Sequence, residues 1–151
     1  MQDNFIRNIV IGFGGVILAL ISTLVIINVN SPQYDDFDKL TSFQAIDRQA
    51  EDQYLVYFYS ESCSHCATIK DTVLKFAKSN DTDLKVYLLD AGSGISGVNN
   101  IVNPNNPNDL MDGTPSLVTV VDGRIVDLNS GATDIPNVLE LINEGTYTYI
   151  D

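Results

Sequence analysis

The sequence predicts an α/β fold with a mixed central sheet, preceded by a single N-terminal transmembrane helix. Three features predict it: an uncharged apolar run near the N-terminus, a strand, a helix and a strand in succession over residues 53–89, and an Asp122-Gly123 pair between two strand-like segments. Strand, helix and strand in this order form a right-handed crossover with parallel strands. An Asp-Gly pair between strands is the signal of a tight antiparallel hairpin. The sheet is therefore expected to contain both kinds of pairing.

The apolar run extends from Ile9 to Ile27, 19 residues without a charge. At about 1.5 Å per residue this length approaches the ~30 Å hydrocarbon thickness of a bilayer. The run lacks the polar stripe of a buried core helix and exceeds the apolar core of a signal peptide, usually about 7 to 15 residues. A cleaved signal peptide is the alternative, although cleavage after Ser31 would leave Pro32 as an unfavourable first mature residue.

The charges that flank the run favour an orientation with the N-terminus inside. Arg7 lies on the short side, whereas the other flank carries Asp35, Asp36 and Asp38 before its first lysine. The rest of the chain is then expected outside the cytoplasm, where a cysteine pair can be oxidised. We predict a cytoplasmic N-terminus (1–8), a transmembrane helix (9–28), a tether (29–36) and one folded domain (37–151).

Composition narrows the possible functions. The chain has 151 residues, 44% of them apolar, enough for one domain with a buried core. Twenty acidic against eight basic residues give a net charge of -12 with no basic run, which argues against nucleic acid as a partner. Two cysteines three positions apart are too few for a disulfide framework.

The folded domain is expected to begin with a short strand at residues 37–40 and a first helix. Thr41 and Gln44 have the spacing of a capping box, and apolar side chains follow at helical spacing: Phe43, Ile46 and Ala50. Residues 53–60 are rich in β-branched and aromatic side chains and too few for a helix, so they are predicted to form a central strand.

A helix of about four turns is predicted after this strand. Its apolar side chains share one face: Cys66, Ile69, Val73, Phe76 and Ala77. The helix is expected to end near Ser79-Asn80, and residues 84–89 form the next strand.

The C-terminal part is predicted to contain a hairpin and a last helix. Strands at residues 116–121 and 124–128 flank Asp122-Gly123. Asp134 is the expected cap of the helix, with Pro136 in its first turn and a stop at Gly145; the buried stripe would contain Val138, Leu139 and Ile142.

Residues 91–112 are rich in Gly, Asn and Pro and are predicted to form a long loop with at most one helical turn. Residues 92–97 match the G-x-G-x-x-G pattern of dinucleotide-binding folds. That pattern requires a helix that opens at the glycines and presents its N-terminus to a pyrophosphate. The following residues are Asn-rich and twice interrupted by proline, so we favour a surface loop. Calcium binding stays open, although no known loop spacing occurs.

The sequence Cys63-Ser64-His65-Cys66 lies where a strand ends and a helix begins. Unpaired backbone N–H groups and the positive end of the dipole favour a thiolate there, so Cys63 should ionise below the usual pKa of about 8.5. Cys66 comes round to face it one turn later. Cys63 can then attack a substrate disulfide, and Cys66 can displace the substrate from the mixed disulfide.

The cysteine pair has three other interpretations. Half of a zinc site would need two more ligands, and the only histidine, His65, lies between the cysteines and projects away from their sulfurs. Copper capture by two thiolates and the histidine, and an inert surface disulfide, stay open. We predict no metal and no cofactor.

The run LVYFYSESCSHC, the strand-helix-strand unit around it and Gly113-Thr114-Pro115 before the hairpin together resemble the thioredoxin family over residues 37–145. The resemblance implies a three-layer fold and a redox-active disulfide between the cysteines. The resemblance also implies that Pro115 is cis and lies against the cysteine pair. It further implies that the Thr114 backbone pairs with an extended substrate. The sequence departs from the family at Tyr57, where thioredoxins commonly carry a buried acid, and at Ser62, where they commonly carry a tryptophan.

The overall likeness is to membrane-anchored, extracytoplasmic thioredoxin-like proteins of Gram-positive bacteria, of the kind labelled bacteriocin transport accessory proteins. It implies a thiol–disulfide oxidoreductase with Cys63 as nucleophile, Cys66 as resolving thiol and Thr114-Pro115 as substrate platform. A cationic His65 would favour oxidation or isomerisation over reduction. The expected partners are proteins with thiols or disulfides and a membrane or extracytoplasmic redox partner. The alternative function is a non-catalytic adaptor that binds peptides of a membrane complex.

Overall fold

The computed structural model describes the following residues: 15–17, 20–22, 31–46, 48–93, 101–111 and 113–150. The chain divides into two units, Met1–Ser31 and Pro32–Asp151. In the first unit, residues 15–17 and 20–22 are helical and exposed. Within the described ranges, no helix has the length and hydropathy needed to cross a membrane. The predicted cytoplasmic segment (1–8) and most of the predicted transmembrane helix (9–28) lie outside the described residues.

The second unit contains the strands and helices of the domain. In chain order they are β1 (Gln53–Tyr59), α1 (Ser64–Lys78), β2 (Lys85–Asp90), β3 (Val102–Asn103), β4 (Asn106–Leu110), β5 (Ser116–Val121), β6 (Arg124–Ser130) and α2 (Asp134–Asn143). Single turns of 3₁₀ helix occur at Tyr34–Asp36, Phe43–Ala45 and Ala91–Ser93.

The main sheet is mixed, with the strand order β2-β1-β5-β6. β1 pairs in parallel with β2 across the α1 crossover, and antiparallel with β5. β5 and β6 form the predicted hairpin, whose turn residues Asp122 and Gly123 have φ of 51° and 71°. Positive φ at both central positions is what a tight hairpin turn requires. The predicted mixed sheet is confirmed.

The two faces of the sheet are covered differently. α1 and α2 pack on one face, over the alternate β1 side chains Leu55, Tyr57 and Tyr59. The other face, which carries Val56 and Phe58, is covered by Ile46, Ile101 and Met111, among others. In the described part of the chain, this second covering layer consists of turns and a short hairpin and contains no α-helix. The β1 strand is therefore buried on both sides, which explains its continuous apolar sequence.

The predicted first helix after Thr41 was wrong: one 3₁₀ turn, Phe43–Ala45, occupies this place. Two carbonyls that a continuing helix would use accept hydrogen bonds from side chains. The Gln49 side-chain amide donates to the Ala45 carbonyl at 2.5 Å, and the Tyr54 hydroxyl donates to the Ile46 carbonyl. The strand expected before it is reduced to a single parallel bridge between Lys39 and Leu88.

The loop prediction for residues 91–112 needs correction, because its second half forms the β3–β4 hairpin. The Met111 N–H donates to the Ile101 carbonyl at 2.8 Å and closes its base. Pro107 lies within β4, and a proline is tolerated in a two-stranded sheet because each strand has an unpaired side. Residues 94–97 of the glycine-rich pattern lie outside the described residues.

A buried carboxylate on β6 connects the hairpin to the rest of the domain. The Asp127 carboxylate accepts hydrogen bonds from the Asn105 amide at 2.8 Å, the Asn129 amide at 2.7 Å and the Tyr147 hydroxyl at 2.6 Å. The Tyr147 hydroxyl also contacts the Thr119 hydroxyl at 2.9 Å. This network joins the hairpin, the main sheet and the segment that follows α2.

The folded unit begins before the predicted residue 37. Pro32 and Tyr34 are buried, and Tyr34 belongs to the same core cluster as Cys66. The Tyr34 ring stacks on the Tyr59 ring with centroids 3.8 Å apart. Part of the predicted tether, residues 32–36, therefore packs against the domain near its cysteines.

Candidate active site

The two cysteines lie at the start of α1, directly after the carboxyl end of β1. Cys63 is the N-cap of the helix, and its sulfur accepts the backbone N–H of Cys66 at 3.1 Å. Its carbonyl accepts the N–H of Ala67, and its own N–H donates to the Ser60 carbonyl, both at 3.1 Å. The sulfur thus fills the role that a Ser or Asp oxygen has at other helix N-termini. Both cysteines are free thiols in this structure.

Burial distinguishes the two sulfurs. Cys63 is partly exposed, whereas Cys66 is 0% exposed. Burial raises the pKa of the Cys66 thiol, and its hydrogen bond with Cys63 raises it further. Burial would also raise the pKa of Cys63, but hydrogen bonds from Cys66, from Thr114 and from the backbone N–H of His65 outweigh it, and the pKa of Cys63 falls below its usual range. Cys63 therefore ionises first, and it is the sulfur that solvent can reach.

Thr114 and Pro115 come to the cysteines from a distant part of the sequence. The Cys63 thiol donates to the Thr114 backbone carbonyl at 3.2 Å, across 51 positions of sequence. The Thr114–Pro115 peptide bond is cis, which confirms what the family resemblance implied. The Ser116 hydroxyl donates to the Gly113 carbonyl at 2.9 Å and closes the turn that presents Thr114.

His65 differs from the other predicted site residues because its imidazole does not enter the site. The side chain is exposed on the first turn of α1. The backbone N–H of His65, in contrast, interacts with the Cys63 sulfur and helps lower the pKa of that thiol. This backbone contribution belongs to the position at the helix start and would exist for any residue except proline.

Two tyrosines behind the cysteines were not predicted as part of the site. Tyr57 is 0% exposed, and Tyr34 lies close enough to interact electrostatically with Tyr57 and Cys66. Burial, together with the nearby Cys66, raises the pKa of Tyr34 to about 12. The sequence did contain an indication for Tyr57, because it stands where thioredoxins commonly carry a buried acid. It contained no indication for Tyr34, because the segment around Tyr34 lacks periodicity.

A cleft of about 270 Å³ opens beside the cysteine turn, lined by Tyr34, Ser60, Glu61, Ala67 and Lys70. The Lys70 ammonium lies over the Tyr34 ring, 4.8 Å from its centroid, and donates a hydrogen bond to the Gln33 side chain at 2.5 Å. Among the described residues, no group of three His, Cys, Asp or Glu side chains is arranged to hold a metal ion.

The sequence and the fold are similar to those of known proteins. The family profile described as Thioredoxin matches residues 37–144. No curated protein matches the sequence significantly. Among solved structures, a mutant thioredoxin from Halobacterium salinarum is 22% identical, with 81% of this chain and 99% of that chain covered and a TM-score of 0.55.

Two thioredoxins from eukaryotes have the same fold. The oxidized mitochondrial thioredoxin 3 of Saccharomyces cerevisiae is 19% identical, covers 74% of this chain and 97% of its own, and has a TM-score of 0.54. Thioredoxin f2 of Chlamydomonas reinhardtii is 17% identical, with 72% and 95% covered and a TM-score of 0.52. The family profile spans most of the chain, and the adjacent cysteines lie where a redox pair is expected, so the chain belongs to the thioredoxin family.

Proposed function

We propose that this chain is a membrane-tethered thiol–disulfide oxidoreductase that acts on protein thiols or disulfides outside the cytoplasm. One observation carries the chemistry: the partly exposed Cys63 sulfur caps α1 at 3.1 Å from the N–H of the fully buried Cys66. This arrangement provides one reactive thiol and one protected thiol a single helical turn apart. Membership of the thioredoxin family supports the same reaction class.

The proposed reaction in the reducing direction has two steps. The Cys63 thiolate attacks a substrate disulfide, forms a mixed disulfide and releases the first substrate thiolate, which takes up a proton. Cys66 then loses its proton and attacks the Cys63 sulfur, which releases the second substrate thiolate. Two electrons pass from the protein dithiol to the substrate, and the Cys63–Cys66 disulfide forms. Oxidation of a substrate dithiol is the reverse sequence.

Thr114 and Pro115 are the proposed substrate platform. The Thr114 carbonyl is 3.2 Å from the Cys63 sulfur, so a peptide that pairs with this backbone would bring its own sulfur next to the nucleophile. Backbone pairing of this kind binds extended segments with little dependence on side chains. Flexible or partly unfolded protein segments are therefore the expected substrates.

We infer that the direction of electron flow favours oxidation or isomerisation, on the basis of His65. A cation near the helix N-terminus stabilises the Cys63 thiolate, which exists only in the reduced form, and this raises the reduction potential. Each pKa unit of stabilisation corresponds to about 1.4 kcal/mol, or roughly 30 mV for two electrons. The exposure of the imidazole limits its effect, because water and salt screen the charge.

An activity assay tests the reaction class and separates it from the adaptor alternative. The full chain, purified in mild detergent, should reduce insulin or rearrange scrambled ribonuclease, and Cys63→Ser should abolish this activity. Cys66→Ser should accumulate a mixed disulfide between Cys63 and substrate, because the resolving thiol is absent. Background rates that are equal for the wild type and Cys63→Ser would contradict an enzyme and favour a peptide-binding adaptor.

A labelling experiment tests the location separately. In intact bacterial cells that express the full chain, a membrane-impermeant maleimide should label Cys63 after mild reduction. A matched sample of lysed cells gives the total that can be labelled. Labelling only after lysis would contradict extracytoplasmic action, and extraction of the protein by salt alone would contradict an anchor.

A further inference from the structure

Tyr57 carries a buried hydroxyl group without a hydrogen bond. The residue is 0% exposed at the centre of β1, and its hydroxyl has no hydrogen-bond partner in the part of the chain that the structure describes. An unpaired buried polar group costs about 1 to 3 kcal/mol, whereas a phenylalanine of the same shape would avoid that cost. Unsatisfied groups in native proteins are few, and a catalytic role is one of their explanations.

The groups around Tyr57 indicate the role of its hydroxyl. Tyr57 and Cys66 belong to the same core cluster, beneath the start of α1. The Tyr57 hydroxyl interacts electrostatically first with the Tyr34 hydroxyl, which lies nearby without meeting hydrogen-bond geometry, and then with Cys66 and Cys63. The neighbouring Tyr59 ring lies nearly parallel to the Tyr57 ring, with centroids 6.2 Å apart.

The proposed reaction places a negative charge beside this hydroxyl. Cys66 must ionise to resolve the mixed disulfide, although its thiol is fully buried. A charge in a low-dielectric interior is costly unless hydrogen-bond donors stabilise it. Burial also raises the pKa of Tyr57, so the phenol keeps its proton and can act only as a donor near Cys66.

We propose that the Tyr57 hydroxyl assists the resolving step by donating its hydrogen to the negative charge that forms on the Cys66 sulfur. The inference rests on the proposed function. In the thiol form the hydroxyl is not hydrogen-bonded to Cys66, so the contact forms on ionisation, directly or through one bridging water. When Cys66 attacks, its proton passes to solvent, a Cys66–Cys63 bond forms, and the substrate sulfur leaves with the electron pair. Tyr57 itself is neither protonated nor deprotonated.

Several titratable groups face Cys66 and will influence its ionisation. Cys63 lies across the first turn of α1, Tyr57 projects from β1, and Tyr34 comes from the turn before β1. The Lys70 ammonium lies over the ring of Tyr34. The backbone of Ser60 and the side chain of Thr114 add neutral hydrogen bonds that lower the pKa of Cys66.

The two phases of reaction with dithiobis(nitrobenzoate) separate the two cysteines. In the reduced full chain, Cys63 attacks the reagent and releases one thionitrobenzoate, at a rate that depends on reagent concentration. Cys66 then releases the second thionitrobenzoate in a step independent of reagent concentration. The absorbance of the released anion follows both phases, and the pH dependence of the second reports the ionisation of Cys66.

The test variant is Tyr57→Phe, and the matched control is Tyr54→Phe. Tyr54 is also a buried tyrosine of β1, but it belongs to the core cluster on the opposite face of the sheet. In Tyr57→Phe the second phase should slow about tenfold near pH 7, with its pH midpoint raised by about one unit. The first phase, and both phases in Tyr54→Phe, should keep their wild-type rates.

The outcomes distinguish the inference from the function on which it rests. An unchanged second phase in Tyr57→Phe, or equal slowing in Tyr54→Phe, would overturn the role of Tyr57 and leave the oxidoreductase intact. A uniform slowing at all pH values, without a moved midpoint, would indicate a packing defect and also overturn it. A wild type without any second phase would remove the resolving function of Cys66 and, with it, this inference.

Discussion

The sulfur cap of α1 makes the stability of the domain depend on Cys63. The Cys63 sulfur is the side-chain acceptor for the backbone N–H of Cys66, at 3.1 Å. Cys66 is 0% exposed, so water has little access to replace the sulfur as an acceptor. Cys63→Ala should therefore leave a buried N–H unpaired, whereas Cys63→Ser supplies a hydroxyl oxygen at the same place.

We expect Cys63→Ala to lower the free energy of unfolding by about 1 to 2 kcal/mol, the usual cost of a lost N-cap. Cys63→Ser should lie within about 0.5 kcal/mol of the reduced wild type, since serine is among the best N-caps. Urea unfolding of the Pro32–Asp151 unit under reducing conditions, followed by far-ultraviolet circular dichroism, measures both differences. Equal stabilities of the alanine and serine variants would refute the capping role.

The same cap predicts a pH dependence. The pKa of Cys63 is lowered in the folded state, so between this value and the unfolded value of about 8.5 the unfolded state binds more protons. Stability therefore rises with pH in this interval, and the contribution disappears as pH falls through the folded pKa. Cys66 has a raised pKa, and its contribution is lost as pH rises through it. In a Cys66→Ser background only the rise from Cys63 should remain, and Cys63→Ser should remove it.

Three further outcomes are expected. A brief iodoacetamide pulse near pH 6 should alkylate Cys63 and spare Cys66, as mass mapping would show; equal labelling would reverse the assigned roles. His65→Pro should lower the reduction potential more than His65→Ala, because proline removes both the imidazole and the backbone N–H that faces the sulfur. Reduction potentials within about 10 mV of the wild type in both variants would remove the basis for favouring oxidation. Asp127→Ala should lower the free energy of unfolding in urea by about 2 to 4 kcal/mol and Asp127→Asn by less, because alanine removes the carboxylate that accepts from the buried Tyr147 hydroxyl and from the Asn129 amide. A loss below about 1 kcal/mol would contradict the network.

The parts of the fold that depend on local chemistry were predicted well. The β1, α1, β2 unit and the Asp122-Gly123 hairpin follow from side-chain periodicity and from turn residues, which act over a few positions. The last helix was placed correctly, but its predicted cap was off by one residue, because Asp134 is the first residue of the helix and Thr133 is the N-cap. These signals lie within the element that they specify.

The parts that depend on distant partners were not predictable from periodicity. The Tyr54 hydroxyl, from a neighbouring strand, accounts for part of the difference between the predicted helix near Ile46 and the observed turn. The β3–β4 hairpin has no alternating apolar pattern, and its Asn103 and Asn105 side chains are held by backbone and side-chain groups of β6. Tertiary contacts determined both segments, and local sequence contains little record of them.

The candidate site also contains contacts that the local sequence predicted and contacts that it did not. Cys63 and Cys66 are brought together by one helical turn, so their spacing alone predicted their proximity. Thr114 reaches Cys63 across 51 positions, and only the family resemblance indicated that contact. Tyr34 lies in a segment without periodicity, and its packing near Cys66 required the structure.

The β3–β4 hairpin also has a consequence for solubility. β6 is an outermost strand of the main sheet, and the outward carbonyls of such strands are templates on which other chains can pair and aggregate. Here the Val126 carbonyl accepts the Asn105 amide at 3.1 Å, and the Leu128 carbonyl accepts the Asn103 amide at 3.2 Å. At the opposite border, the Leu88 carbonyl accepts the Leu40 N–H at 2.7 Å. These carbonyls of the two outermost strands are thus already hydrogen-bonded within the chain, which lowers the tendency of an extended, partly unfolded peptide to add to the sheet as a further strand.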